Sequence, residues 1–273
     1  MISLRSAYAL WNRIEEKELG LIAAGVAFFG FLAVFPALAA VIALWGFASD
    51  PGVIREDLAV LRDFLPPEAF TLLTQQADML LEANNRKLGW TTLLSTGLAL
   101  WSARAGVAAL MQGLNAVHGL PAREGVWHQV QAIVLTLILI ALALAATAMA
   151  VVMPLVIVFL PLARVEALSL EIANLALGLG LVVLAVGLIY RHGPNRASKD
   201  ERPLLTWGLL LALLMWAGVS RGLVIYLANF ASYNQIYGSI GAVVALLMWF
   251  YLSAYALLLG AAVDAERAAQ RSQ

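Results

Sequence analysis

The sequence contains no cysteine, few charged residues and only three histidines. With no cysteine in 273 residues, disulfides, thiolate metal ligands and cysteine nucleophiles are excluded. Asp, Glu, Lys and Arg make up 12% of the chain, against about 25% in an average soluble domain. Acidic and basic residues are equal in number, so the basic excess typical of nucleic-acid-binding proteins is missing. No histidine has metal-ligand spacing to another histidine or to a carboxylate. We therefore expect no nucleic-acid partner, no metal and no cofactor.

Apolar residues fill the space that charge leaves. They make up 62% of the chain, more than a soluble core of this size can bury. They fall into six runs, each long enough to cross the hydrocarbon core of a bilayer as a helix. The sequence predicts an all-α polytopic membrane protein, a six-helix bundle forming one membrane domain over 1–273. The predicted spans are 19–47, 88–113, 130–160, 168–190, 204–230 and 238–263. Pro36 and Pro154 fall inside the first and third spans and predict kinks or local unwinding there.

The extramembrane segment 50–87 separates the first two spans. Ile54, Leu58, Leu61 and Leu65 recur at helical spacing, and a similar pattern follows the prolines at 66 and 67. This periodicity predicts two short amphipathic helices that lie on the membrane or cap the bundle.

Lysines and arginines in the short loops predict the orientation. The N-terminal tail has three, 114–127 one, 191–203 four and the tail after 263 two, and six spans put these four regions on one side; the opposite short loops hold only Arg164. Because basic loops stay in the cytoplasm, both termini are predicted to be cytoplasmic and segment 50–87 to lie outside.

Three stretches resemble the YihY/BrkB family of bacterial inner-membrane proteins. The first is Ala23-Ala24-Gly25-Val26-Ala27-Phe28-Phe29 with Pro36, and the second runs from Trp101-Ser102 through Leu110 to Asn115. The third runs from Tyr237-Gly238-Ser239-Ile240-Gly241 through Trp249, Tyr251 and Tyr255 to Leu259-Gly260-Ala261. One departure concerns the acidic residue that family members often carry soon after the final Gly-Ala pair: here Ala262 and Val263 come first, and then Asp264. The resemblance implies a six-helix bundle with cytoplasmic ends in the bacterial inner membrane.

Arg104 and Arg221 are the most informative polar residues, because each lies inside a predicted span. An arginine at the bilayer centre costs at least about 2.5–3.5 kcal/mol on insertion scales. With Arg104 about nine residues from the cytoplasmic end of its span and Arg221 a similar distance from the outer end of its own, we expect different depths. That arrangement would suit an anionic headgroup passing between two fixed cations. The alternative is that each arginine snorkels or bonds to helix carbonyls and stabilises the bundle.

Smaller polar and glycine residues complete the candidate set. Ser102 and Asn115, both in the family-like stretches, join the arginines as candidate substrate-binding residues, and an interhelical bond or cap is the alternative for Asn115. Gly218, Gly222, Gly238 and Gly241 give the small-residue spacing that allows close helix approach, either within the chain or in a homo-oligomer.

These features favour a transporter or flippase-like protein for an anionic amphiphile, such as a phospholipid or a lipopolysaccharide precursor. Membrane lipids would be its partners. The alternative is a non-catalytic scaffold for envelope integrity that binds an envelope protein through 50–87. A membrane hydrolase, including the ribonuclease label given to some family members, ranks third, because no catalytic constellation is present. We therefore expect the protein not to be an enzyme.

Overall fold

The regular structure of the described residues in the computed structural model is helical. The structure describes residues 12, 14–48, 70, 71, 74, 75, 78, 85–121, 125–159, 164–195, 204–229 and 234–271, and no strand occurs among them. The six long helices are α1 (Leu19–Ala48), α2 (Asn85–His118), α3 (Val126–Phe159), α4 (Arg164–His192), α5 (Trp207–Asn229) and α6 (Asn234–Arg271). Each contains a stretch long and apolar enough to cross a membrane. The prediction of an all-α protein with six spans is confirmed.

Two helices run well past their predicted ends. α2 continues five residues beyond 113, and α6 continues eight residues beyond 263. Hydropathy marks where a helix leaves the hydrocarbon, whereas the backbone ladder ends only where a capping residue ends it. For α2 that residue is Gly119, whose φ of 66° is in the left-handed region and whose N–H donates to the Ala116 carbonyl at 3.1 Å.

The helices stay continuous at both prolines. α1 remains helical through Pro36, and α3 remains helical through Pro154. The expected local unwinding is therefore not observed at either residue. Proline still removes one backbone hydrogen bond, so a kink at these positions stays a prediction.

The chain forms two compact units. Unit one comprises Met1–Val26, Val107–Gly222 and Tyr251–Gln273, and unit two comprises Ala27–Gly106 and Leu223–Phe250. In unit one, α3 packs against α4. The core of unit one is built largely from alanine and leucine, and its fully buried members include Ala23, Leu114, Leu258 and Ala262. Small side chains let helices approach closely, which is how bundles pack in a membrane without a hydrophobic driving force.

Aromatic rings characterise unit two. The rings of Phe29 and Trp101 meet edge to face with centroids 6.3 Å apart, which joins α1 to α2. Gly30 lies against the ring of Phe250, since a Cβ at Gly30 would lie 3.2 Å from Cδ1 of that ring. Edge-to-face pairs add about 0.5–1.5 kcal/mol beyond the area that they bury.

Large apolar side chains also cover the outside of the helices. Leu21, Leu144, Leu175 and Leu214 are each more than half exposed. In water such a surface would be an aggregation liability, whereas lipid tails solvate it at no cost. The outward faces therefore support the membrane assignment independently of hydropathy.

Only part of segment 50–87 falls within the described residues. Residues 70, 71, 74, 75 and 78 are helical, and the Thr74 hydroxyl donates to the Phe70 carbonyl at 3.0 Å. The first predicted amphipathic helix, with Ile54 and Leu65, lies outside the described residues.

Candidate functional site

Arg104 lies near the middle of the membrane-crossing part of α2. The candidate span runs from Leu93 to His118, so Arg104 is eleven residues from one end and fourteen from the other. The helix end is farther from Arg104 than the predicted end of the span near 113, because α2 continues to His118. Arg104 is half-buried and has an interaction partner within the chain.

Ser102 does not share a face with Arg104. Residues two apart on an α-helix point about 200° apart, so they cannot hold one small ligand together. Burial agrees with this geometry, since Ser102 is only 2% exposed. Ser102 therefore lies on the packed side of α2, and Arg104 belongs to a different face.

Arg221 has a different environment in unit one. It is exposed on α5, five residues before Tyr226 at the end of the candidate span. It makes no hydrogen bond or ion pair with another residue that the structure describes. No side chain or carbonyl among those residues therefore compensates the charge of this guanidinium.

The glycines around Arg221 are exposed as well. A Cβ placed on Gly218 or Gly222 would meet no atom of a described residue within 4 Å. Packing of this pair inside the bundle, one of the two uses expected from its spacing, is therefore not observed among those residues. On α6, Gly241 is buried, while Gly238 is helical in a stretch whose surroundings lie outside the described residues.

Asn115 ties two chain segments together near the end of α2. It is 3% exposed, and its side-chain oxygen accepts a hydrogen bond from the backbone N–H of Asn195 at 2.6 Å. The side-chain amide of Asn195 in turn donates a hydrogen bond to the Pro121 carbonyl at 3.2 Å. These hydrogen bonds link the end of α2 to the end of α4. They satisfy the Asn195 N–H and the Pro121 carbonyl, two backbone groups that lie beyond the helix ends.

A polar junction between α5 and α6 was missed by the sequence analysis. Thr206 precedes α5, and its hydroxyl accepts a hydrogen bond from the Leu209 N–H at 3.0 Å, which is the geometry of an N-cap. The Asp264 carboxylate of α6 accepts one bond from the Thr206 hydroxyl and another from the Gly208 N–H, the latter at 2.8 Å. A carboxylate at the positive end of a helix dipole is favourable, so Asp264 joins α6 to the start of α5.

The backbones approach most closely beside this carboxylate. A Cβ on Gly208 would lie 2.1 Å from the Gly260 carbonyl oxygen, and a Cβ on Gly260 would lie 2.3 Å from the Gly208 carbonyl oxygen. The hydroxyl of Tyr190 closes the junction by donating to the Leu257 carbonyl at 2.5 Å. A threonine followed two residues later by glycine at the start of an apolar run was the only sequence signal, and nothing local connects it to Asp264.

Aromatic and cationic side chains cover the outer edge of the same junction. The guanidinium carbon of Arg267 lies 5.2 Å from the ring centroid of Trp207. At an exposed site such a contact contributes about 0.5–1 kcal/mol. Trp207 itself is exposed at the start of α5, the position that an interfacial tryptophan takes.

The histidines do not form a catalytic cluster in the described residues. The Nδ1 atoms of His118 and His192 bond to the carbonyls four residues earlier, at 2.8 and 3.3 Å. His128 is 9% exposed, and three residues later Gln131 donates to the His192 carbonyl. No group of three or more His, Cys, Asp and Glu residues suited to a metal ion occurs in the described part of the chain.

The protein family described as virulence factor BrkB matches residues 10–273, nearly the whole chain. The chain belongs to the virulence factor BrkB family. This confirms the resemblance found in the sequence. A Bacillus subtilis protein named putative ribonuclease-like protein YfkH is 29% identical over 263 residues, 94% of this chain and 92% of that one.

Membrane proteins of Xanthomonas are similar over a shorter stretch. A UPF0761 membrane protein of Xanthomonas oryzae pv. oryzae is 39% identical over 90 residues, and one of Xanthomonas campestris pv. campestris has the same identity over the same length. The match covers 33% of this chain and 21% of each relative. No solved structure matches the chain. Family, relatives and spans together make this a multi-pass membrane protein of the BrkB/UPF0761 group.

Proposed function

We propose that this protein is a transporter or flippase-like protein of the inner membrane, with cytoplasmic termini, that binds an anionic amphiphile and moves it between leaflets. A phospholipid or a lipopolysaccharide precursor fits the charge and the apolar surroundings. Catalysis has no part in this proposal. The observation that carries it is the half-buried residue Arg104 near the middle of a candidate membrane span.

The charge of Arg104 is the first support. A guanidinium stays protonated even in an apolar environment and carries five N–H donors in a planar fork. A headgroup phosphate offers the oxygens and the negative charge that match such a fork. A lipid headgroup that crosses the bilayer needs a polar group to bind it inside the membrane, because hydrocarbon does not solvate a charge.

The shortage of acidic residues is the second support. The six candidate spans contain Asp264 and Glu266 near the end of α6 and no other acidic residue. Asp264 is already bonded to Thr206 and Gly208. A carrier driven by protonation of membrane carboxylates would need a titratable group nearer the midplane. The sequence also has no Gly-rich phosphate loop, so an ion gradient or a partner protein would supply any energy.

Lipid translocation in liposomes tests the proposal. Wild type and the double variant Arg104→Ala/Arg221→Ala are reconstituted with a headgroup-labelled anionic phospholipid, and outer-leaflet label is quenched. We expect wild type to expose inner-leaflet label and the double variant to do so about tenfold more slowly, since charge-assisted bonds from the arginines to the headgroup phosphate are lost. The variant Arg191→Ala, which removes an exposed arginine at the end of α4, is the matched control.

The proposal fails if folded wild type leaves inner-leaflet label protected, or if the double variant moves lipid as fast as wild type. Size-exclusion elution and helical circular dichroism identify folded protein in each sample. A rate that falls equally in the double variant and in Arg191→Ala would indicate a general charge effect and would also count against a specific role of Arg104 and Arg221.

A scaffold function is the second candidate. The observation that favours it is that the described residues of 50–87 are helical. An amphipathic helix outside the membrane offers a surface for an envelope protein. Deleting 52–86 is expected to abolish a scaffold function, whereas a deletion variant that keeps full function would rule this candidate out.

A further inference from the structure

One face of α5 is apolar, exposed and carries a single charge. Leu210, Leu214, Gly218 and Arg221 recur every three or four residues, and all four are exposed. This spacing places them along one side of the helix. Gly222 lies next to Arg221 and is exposed too.

Arg221 lies close enough to one end of α5 to meet lipid headgroups. It precedes Tyr226 by five residues and the helix end at Asn229 by eight, which is about 8–12 Å along the axis. Long basic side chains near helix ends extend their charge toward the interface, and the bilayer thins locally around them. Headgroup phosphates of that leaflet are therefore accessible to the guanidinium.

The surface beside Arg221 leaves room for a bulky ligand. Apart from the adjoining residues and the backbone of the same helix, no described atom lies within 4 Å of a Cβ position at Gly218, one turn before the arginine, or at Gly222, directly after it. Glycine in a helix interior costs about 1 kcal/mol relative to alanine. Two glycines around a membrane arginine leave the helix backbone uncovered where a headgroup would approach.

A second copy of the chain fits this face poorly. A two-fold interface uses the same patch on both partners, so the two Arg221 side chains would come together in an apolar environment. The candidate span Trp207–Tyr226 contains no Asp or Glu that could separate them. An anionic ligand, in contrast, offsets the charge of the arginine.

We propose that this face of α5 binds an anionic phospholipid from the surrounding bilayer, with Arg221 holding the headgroup phosphate and Leu210 and Leu214 contacting the acyl chains. The inference rests on the proposed function for the charge of the ligand, and it deepens that function by placing the lipid on the outside of α5. Arg221 then loads lipid from the bilayer, whether or not the lipid later crosses it.

Native mass spectrometry of the purified chain tests this site. The probes are dioleoyl phosphatidylglycerol and, as the zwitterionic comparison, dioleoyl phosphatidylcholine, each titrated from mixed micelles. We expect wild type to prefer phosphatidylglycerol and Arg221→Ala to bind it about tenfold more weakly, because charge-assisted bonds to phosphate are lost. Arg221→Lys keeps the charge without the bidentate geometry and should lie between them.

Two further variants separate charge from shape. Gly218→Leu fills the space beside the arginine and should weaken phosphatidylglycerol binding although the charge is unchanged. Arg191→Ala should bind as wild type does. Inorganic phosphate added at millimolar concentration should not displace the lipid, since it lacks the acyl chains; displacement would overturn the assignment to a lipid.

The inference is wrong if Arg221→Ala keeps the wild-type preference, or if Arg221→Ala and Arg191→Ala weaken binding equally. It is also wrong if Gly218→Leu leaves lipid binding intact and converts a dimer into a monomer, which would assign the face to a second copy. Failure of translocation with intact, Arg221-dependent binding would refute the proposed function and leave this site standing.

Discussion

The sharpest prediction concerns four glycines that the structure divides into two pairs. Gly208 and Gly260 lie where α5 and α6 touch, and Gly218 and Gly222 face open space. The same chemical change, glycine to alanine, should therefore have opposite effects on the free energy of unfolding. A sequence-based argument from small-residue spacing would treat both pairs alike.

The magnitude for Gly208→Ala comes from the geometry of the contact. Its Cβ would lie 2.1 Å from the Gly260 oxygen, whereas carbon and oxygen normally approach to about 3.3–3.6 Å, so the helices must separate by about 1 Å. Overpacking of this kind costs about 1–3 kcal/mol. The shift also stretches the bond from the Gly208 N–H to Asp264, and a hydrogen bond to a charged group contributes about 1.5–3 kcal/mol. We expect a total loss of about 3–5 kcal/mol for Gly208→Ala, with Gly260→Ala similar.

For Gly218→Ala and Gly222→Ala we expect no loss and a gain of up to about 1 kcal/mol each, because alanine has the higher helix propensity. Equilibrium unfolding of the purified protein by sodium dodecyl sulfate in mild detergent, followed by tryptophan fluorescence, measures all four. The reasoning is refuted if the four variants unfold within about 0.5 kcal/mol of one another, a spread typical of surface substitutions. It is equally refuted if the exposed pair is the sensitive one.

Three further predictions concern side chains that make hydrogen bonds between segments of the chain, and each is measured by the same unfolding experiment. Asp264→Ala should cost about 2–4 kcal/mol, since it leaves the Gly208 N–H and the Thr206 hydroxyl without their acceptor, and Asp264→Asn should recover part of this loss. Equal stability of Asp264→Ala and wild type would contradict a stabilising role of the carboxylate at this junction. Tyr190→Phe should cost about 1 kcal/mol through loss of the hydroxyl bond to Leu257, and a neutral result would contradict that bond. Asn115→Ala should cost about 1–2 kcal/mol of unfolding free energy and speed amide hydrogen exchange at Asn195, whose N–H loses its acceptor. Unchanged exchange at Asn195 would contradict this hydrogen bond.

The six spans could be predicted because the membrane imposes their length. Apolar residues must continue for about 20 positions, so hydropathy alone finds each helix. It finds the helix ends less well: α2 continues beyond its predicted end until Gly119 ends it, and α6 continues to Arg271. The error had a consequence for the candidate site, since it placed Arg104 nearer to a helix end than the structure does.

The junction at Asp264 could not be predicted, because it depends on contacts between residues more than fifty positions apart. Each part of the junction is a common sequence feature when taken alone: an N-cap threonine, one acidic residue and isolated glycines. Only the packing of α6 across the start of α5 gives them a joint role. Asp264 stands at a departure from the family pattern that the sequence resembles, and the structure supplies a local physical reason for an acidic residue there.

The two arginines show how structure divides residues that a sequence groups together. Both cost free energy in a bilayer, and both stay charged. Arg104 is half-buried with a partner inside the chain, so removing it disturbs the fold as well as any ligand. Arg221 is exposed and makes no bond to a described residue, so its removal should leave the unfolding free energy unchanged or raised. A lipid phenotype of Arg221→Ala at unchanged stability would therefore identify a ligand, whereas the same phenotype of Arg104→Ala would need a stability measurement before it could be interpreted.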